Sequence, residues 1–210
     1  MKTLIAIPCM DMMHTPFVIS LTGLQVKGEI KFAYSASSLV YDSRNGLARK
    51  AIVEKFDRIL WLDSDMQFSP DLFKRLSDDL DEGRDFVSGL YFTRKPPYKP
   101  VIFKKAGYEH IGEKGVKPVA EAYYDYPEDT VFEVQAAGFG GVMMNVSLLV
   151  EIEKAYGLPF SPIMGFGEDI SFCMRAQELG KKMYCDSRVK MGHVGQFVYD
   201  ESSCKELNHA

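Results

Sequence analysis

The chain has 210 residues, 46% of them hydrophobic, 26% charged and 12% aromatic, and carries a formal net charge of −4. These values predict one soluble globular domain that buries a core without staples, and the mild acidity argues against general nucleic-acid binding. No stretch approaches the roughly 18 apolar residues of a membrane span, and residues 4–7, followed by Pro8 and Asp11, are too few for a secretory signal.

Residues 4–7 read as a compact first strand. Thr15-Pro16, a cap followed by proline in the first turn, opens a helix over 17–27. Residues 29–34 read as a second strand with Ile30, Phe32 and Tyr34 on one face. Asp42-Ser43 can cap a helix whose apolar face runs through Leu47, Ala48, Ala51, Ile52 and Phe56. Ile59-Leu60-Trp61-Leu62 is a continuous apolar run, as in a strand covered on both faces, and it stops at Asp63-Ser64-Asp65. Carboxyl ends of strands in open α/β sheets are where ligands collect. Residues i and i+2 of an extended chain point the same way, so both aspartates could face one hard divalent ion. Capping a turn explains them equally well from local pattern. Asp79-Leu80-Asp81 repeats the spacing within a polar segment and reads as a solvated acidic face of the helix that Ser69-Pro70 starts, over 70–80. Phe86-Val87-Ser88 follows as a strand. This alternation predicts a parallel sheet built from βαβ units.

The pattern changes after residue 90. Lys95-Pro96-Pro97-Tyr98-Lys99-Pro100 cannot be a central strand, and 101–135 reads as short strands or hairpins. Residues 91–117 hold seven basic side chains (Arg94, Lys95, Lys99, Lys104, Lys105, Lys114, Lys117) against Glu109 and Glu113. Such a segment is a solvated loop or a cationic lip for phosphate. Tyr123, Tyr124 and Tyr126 either pack an edge or stack on a sugar. Gly138-Phe139-Gly140-Gly141 feeds a strand, as a bulge or as a close approach to a ligand. Ser147 caps a helix to about residue 156. Ile170, Cys173, Met174 and Gln177 share a helical face ending near Gly180, which puts Glu168 and Asp169 in the first turn. The helix dipole favours acidic residues there whatever their function, and it would hold a base at that place to a low pKa. A strand over 182–185 leads to Gly192-His193, either a ligand or a structural histidine. Cys9, Cys173, Cys185 and Cys204 lack Cys-x-x-Cys spacing and read as buried hydrophobes or free thiols in a reducing, cytoplasmic setting.

In order and spacing, these segments resemble the GT-A glycosyltransferases, in particular small family-2-like members. The matching features are the strand ending near Pro8, Arg44-Asn45, Asp63-Ser64-Asp65, Gly138 to Gly141, Gly167-Glu168-Asp169 and Gly192-His193. The methionine-rich opening Cys9-Met10-Asp11-Met12-Met13 departs from the family's polar loop.

The resemblance implies an α/β, single-domain GT-A (nucleotide-diphospho-sugar transferase) fold. Its mostly parallel central sheet would be flanked by helices, with a smaller antiparallel acceptor-side portion. Residues 1–90 would form the nucleotide-binding half, 91–195 the acceptor and catalytic half, and 196–210 a C-terminal tail. It implies a hexosyl- or N-acetylhexosaminyl-transferase using a nucleotide-sugar donor, a UDP-sugar by family habit, and a hydroxyl acceptor on a glycan, lipid-linked sugar or protein. Asp65, Asp63 and His193 would serve Mn2+ or Mg2+, with Asp63 reaching the ribose or the ion through water. Imidazole beside carboxylate favours Mn2+. Pro8, Asp11, Arg44, Asn45, Ser64, Gly140 and Gly141 would contact the donor. Asp169 would be the general base of an inverting transfer, and Glu168 would orient substrate. A nucleotidyltransferase, a retaining transferase and a non-catalytic nucleotide-sugar-binding protein are the alternatives.

Overall fold

The computed structural model describes residues 1–112 and 115–195. Glu113 and Lys114 of the basic stretch, Cys204, and the expected tail at 196–210 lie outside the described residues. The first half runs β1 (Lys2–Cys9), α1 (Thr15–Gly23), β2 (Glu29–Ala36), α2 (Val40–Val53), β3 (Arg58–Leu62), β4 (Met66–Gln67), α3 (Leu72–Asp81) and β5 (Phe86–Leu90). The second half begins with β6 (Ile102–His110), β7 (Val116–Ala122), β8 (Val131–Val134), β9 (Ala136–Ala137) and β10 (Gly141–Asn145). It closes with α4 (Val146–Tyr156), α5 (Glu168–Glu178), β11 (Met183–Lys190) and β12 (Gly192–His193).

Seven strands form one sheet in the order β2-β1-β3-β10-β5-β11-β8. β1 pairs in parallel with β2 and β3, and β11 with β5, whereas β10 and β8 run the other way. The sheet is therefore mixed and mostly parallel, with β10 wedged between β3 and β5 where a plain βαβ series would have made them neighbours. A separate antiparallel sheet, β7-β6-β9, provides the hairpin expected in the second half.

Period-two alternation in the central strands explains the layers. Leu4, Ala6, Ile59 and Trp61 enter one core with Leu47 and Ala48 of α2, Leu149 of α4, and Phe172 and Cys173 of α5. Ile5, Ile7, Leu60 and Leu62 enter the other with Phe17 of α1 and Phe73 and Leu76 of α3. All five residues of β3 are buried, as an apolar run covered on both faces must be.

Several local expectations change. Among the described residues no helix makes a side-chain cap bond at its N-cap, so the caps expected at Thr15, Asp42-Ser43, Ser69 and Ser147 are not formed. Ser43 Oγ instead donates to Ser35 O, and Ser69 Oγ to Asp71. These helices are held by their buried faces, which outweigh a single cap. α1 stops at Gly23, short of residue 27. β2 is the outer strand, which leaves Phe32 and Tyr34 exposed. Tyr123 and Tyr126 pack on Phe132, while Tyr124 faces solvent.

Asp79 corrects the reading of a solvated acidic face, because it is only 2% exposed. Arg188 reaches from β11 to bond both Asp79, at 3.0 Å, and Asp186. Burial, and then the Asp186 carboxylate, push the Asp79 carboxyl well above the ordinary range. Asp81 does stay exposed, paired with the buried Arg58 at 2.6 Å.

Candidate functional site

β1, β2, β3, β5 and β11 share a direction, so the loops leaving their carboxyl ends gather at one rim of the sheet. A cleft of about 510 Å3 opens there, lined by Pro8 to Met12, Ser37, Ser38, Ser43, Asp63, Ser64, Asp65 and Arg94. Pro8 is buried at its floor and Asp11 exposed at its edge. The backbone fixes the acidic turn tightly. Asp63 N–H donates to Gly140 O at 3.1 Å, Met66 N–H donates back to Asp63 O at 3.1 Å, and His14 N–H donates to Ser64 O at 3.1 Å.

Two-residue strands bring the distant histidine to this turn. β12 pairs antiparallel with β4, His193 opposite Met66, and Val194 N–H donates to Asp65 O at 2.7 Å. His193 Nε2 consequently lies 3.4 Å from Asp65 Oδ2, while its Nδ1 is 2.9 Å from Phe92 O. The carbonyl can only accept, so Nδ1 carries the proton and Nε2 faces Asp65. Desolvation alone would lower the imidazole pKa, but Asp65 and Phe92 O outweigh it and raise the value. For Asp65, burial is outweighed by His193 and by Arg94, whose Nη1 lies 2.9 Å from Oδ2, and its carboxyl sits below the ordinary range.

Arg44 organises the remaining carboxylates. It lies at the i−3 and i−4 positions to Leu47 and Ala48 on the buried face of α2, 2% exposed, within 5.7 Å of the Trp61 ring and 5.3 Å of Phe139. Its Nη2 donates to both Asp63 oxygens, at 2.8 and 3.1 Å, and its Nε donates to Glu168 Oε1 at 3.1 Å. The guanidinium thus ties the β3 turn to the first turn of α5. Burial pushes the Asp63 carboxyl up to about 6 despite Arg44, with Asp65 and Glu168 adding to the rise. Asp169 is also raised, by burial first and Glu168 second. This corrects the expected low pKa at a helix N-terminus: burial beside a second carboxylate outweighs the dipole. Asp63 and Asp169 both lie near enough to the buried Tyr91 hydroxyl to raise its pKa further, after burial itself.

The start of α5 is held by Ser171, whose Oγ donates to Gly167 O at 2.7 Å and accepts from Ile163 N–H at 2.8 Å. Asn45 faces the protein as well. Its Oδ1 accepts from Phe160 N–H at 2.9 Å, fixing the loop before α5. Arg44 and Asn45, expected to contact a donor, are therefore turned inward. Gly140 and Gly141 are buried too. A side chain at Gly140 would lie 3.0 Å from Tyr91 and Met66, and one at Gly141 would run into Met191, so packing explains both glycines. Much of the basic stretch is neutralised locally: Lys104 pairs with Glu121, Lys105 and Lys117 with Glu109, and Arg94 with Asp65.

The residues fit a divalent ion held in part by the protein. Asp65 would supply a carboxylate oxygen and His193 an oriented Nε2 to such an ion, a donor set suited to Mn2+. Both Asp63 oxygens already accept from Arg44. No group of three His, Cys, Asp or Glu side chains forms a metal cage among the described residues. The rest of a coordination sphere would have to come from substrate phosphate and water, as Mg2+ commonly arranges it.

No family profile matches the chain, and no curated protein matches it by sequence. Solved structures do match. A197 from STIV superposes with a TM-score of 0.64 at 19% identity, covering 93% of this chain and 87% of that one. GalNAc-T7, crystallised with UDP, GalNAc and Mn2+, superposes with a TM-score of 0.61 at 12% identity. That match covers 93% of this chain but 44% of GalNAc-T7. Among the described residues no helix is long and apolar enough to cross a membrane. The mixed, mostly parallel sheet and its likeness to GalNAc-T7 make this chain's fold GT-A-like.

Proposed function

We propose that the chain is an inverting, metal-dependent glycosyltransferase that moves a sugar from a nucleoside-diphosphate sugar to an acceptor hydroxyl. The observation that carries this reading is the convergence of four distant segments at one rim. Asp63 and Glu168 share Arg44, and Asp65 meets His193. The likeness to a transferase crystallised with UDP, GalNAc and Mn2+ supports it.

In this reading the donor lies in the cleft above Pro8, Asp11 and Ser64, with its ribose toward the exposed edge of Asp63. Arg44 and Asn45 act as positioning residues. One holds Asp63 and Glu168 at fixed separation; the other anchors the loop that leads into α5. Asp65 and His193 would hold Mn2+ or Mg2+, which when bound would offset the charge that collects on the departing diphosphate. Asp169 takes the proton from the acceptor hydroxyl as that oxygen bonds to the anomeric carbon from the face opposite the leaving group. The bond from that carbon to the diphosphate oxygen breaks with its electron pair going to the nucleoside diphosphate. A raised Asp169 pKa makes the carboxylate a better base than an ordinary aspartate. Glu168, fixed by Arg44, orients the sugar or the acceptor.

Thermal stabilisation against a panel of nucleotide sugars, with Mn2+ and with chelator, tests the reading. One donor should raise Tm selectively and only with the ion. Equal, ion-independent shifts for all donors, or none, would refute it.

A further inference from the structure

The Asp65 oxygen that faces His193 carries a second partner, and that partner is a cation. Arg94 Nη1 sits 2.9 Å from Asp65 Oδ2, the same oxygen that lies 3.4 Å from His193 Nε2. A guanidinium and a divalent ion cannot share one carboxylate oxygen without strong mutual repulsion at this range. Arg94 is also free to leave. Its side chain is 46% exposed, its other hydrogen bond among the described residues is to Val194 O at 3.4 Å, its stem passes over Gly195, and it stands on the proline-rich connection between β5 and β6. Exposed ion pairs of this kind are weak.

The guanidinium has somewhere to go. Arg94 lines the 510 Å3 cleft above Asp63 and Asp65, and it also lines an adjoining space of about 370 Å3 beside His193. The same side chain borders both spaces. The planar fork suits two phosphate oxygens, which an ammonium matches less well.

We propose that Arg94 is a built-in counter-cation for Asp65 which a divalent ion displaces, and that the displaced guanidinium then grips the donor diphosphate. The inference rests on the metal-dependent nucleotide site proposed above. Its consequence is ordered loading: the ion alone binds poorly because it must evict Arg94. The ion with a nucleoside diphosphate binds well because Arg94 gains a new partner. Arg94 thereby makes the site selective for the paired ligand over either part alone.

Free Mn2+ measured by the amplitude of its aqueous EPR signal, without and with UDP or GDP, tests this on wild type, Arg94→Ala, Arg94→Lys and Lys99→Ala. Arg94→Ala should bind Mn2+ alone about 5-fold more tightly, the upper range for losing one exposed ion pair. The same variant should bind the nucleotide with Mn2+ at least ~10-fold more weakly, as expected for one lost charge-assisted phosphate contact. Arg94→Lys should keep near-native affinity for Mn2+ alone yet lose much of the nucleotide gain. Lys99→Ala removes a positive charge from the same connection and should leave both affinities within about 2-fold. Equal shifts in Arg94→Ala and Lys99→Ala would overturn the proposal by reducing it to bulk charge. So would weaker binding of both ligands, or no change, in Arg94→Ala. Wild type that takes up no Mn2+ with either nucleotide would refute the underlying functional reading, and the inference with it.

Discussion

Arg44→Met removes the one guanidinium that Asp63 and Glu168 share. It leaves two carboxylates, 29% and 14% exposed, close together with no cation between them. Deleting one partner of a buried ion pair costs about 3–5 kcal/mol. Arg44 Nη1 is itself buried without a partner, and its removal offsets about 1 kcal/mol of that. Methionine also fills much of the space against Trp61 and Phe139. The net loss is therefore roughly 2–4 kcal/mol, a fall in Tm of roughly 4–16 °C for a chain of this size. Asp63 should rise further above its value of about 6, because the charge opposing burial is gone. Thermal denaturation measures the first effect and carboxyl carbon NMR across a pH series the second. Arg44→Lys should fall between, since one ammonium cannot fork to both acids. A Tm within 1–2 °C of wild type at neutral pH, outside the window expected here, or an Asp63 carboxyl that titrates lower, would refute the account of Arg44 as the clamp.

Asp169→Asn should lower turnover at least ~100-fold while donor affinity stays near wild type, read from kcat and calorimetry on the same preparation. Equal losses in both would mark Asp169 as structural. Asp169 must be ionised to act and its pKa is raised, so kcat/KM should climb with pH above the usual aspartate range. Glu168→Gln removes a neighbouring negative charge and should move that acidic limb to lower pH. A limb that stays put would argue that another group sets it. Asp79, raised by burial and Asp186, binds a proton more tightly folded than unfolded, so its contribution to stability is present at low pH and fades as pH rises through its folded value. Asp79→Asn keeps an acceptor for Arg188 and loses the like charge. Its Tm should match wild type near pH 4 and exceed it near pH 8, and a deficit at every pH would contradict this.

The layers were legible in the chain because strong periodicity marks them. The β3 run and the alternation of the first ninety residues specify buried parallel strands with helices on both faces. The wedging of β10 between β3 and β5 was not, because strand order depends on a chain reversal that no local pattern encodes. At the rim, residue types were readable but partners were not. β4 and β12 hold two residues each, too short to carry a period, yet their pairing, with Val194 N–H on Asp65 O, brings His193 to Asp65. Arg44 did leave a trace, an arginine in step with the apolar face of its own helix. That pattern points to a buried clamp more than to a substrate contact. Asp79 looks solvated in the sequence because its partners Asp186 and Arg188 lie more than a hundred residues away. The dense glycines could not distinguish a ligand from the protein's own Tyr91 and Met191.

Calorimetric titration of UDP and GDP into the wild-type chain, with Mn2+ and with chelator, and into Asp65→Ala and His193→Ala, decides whether this rim takes a nucleotide through a divalent ion. One nucleotide should bind saturably, only with the ion, and binding should be lost in both variants. Binding that survives chelation and both substitutions unchanged would contradict it.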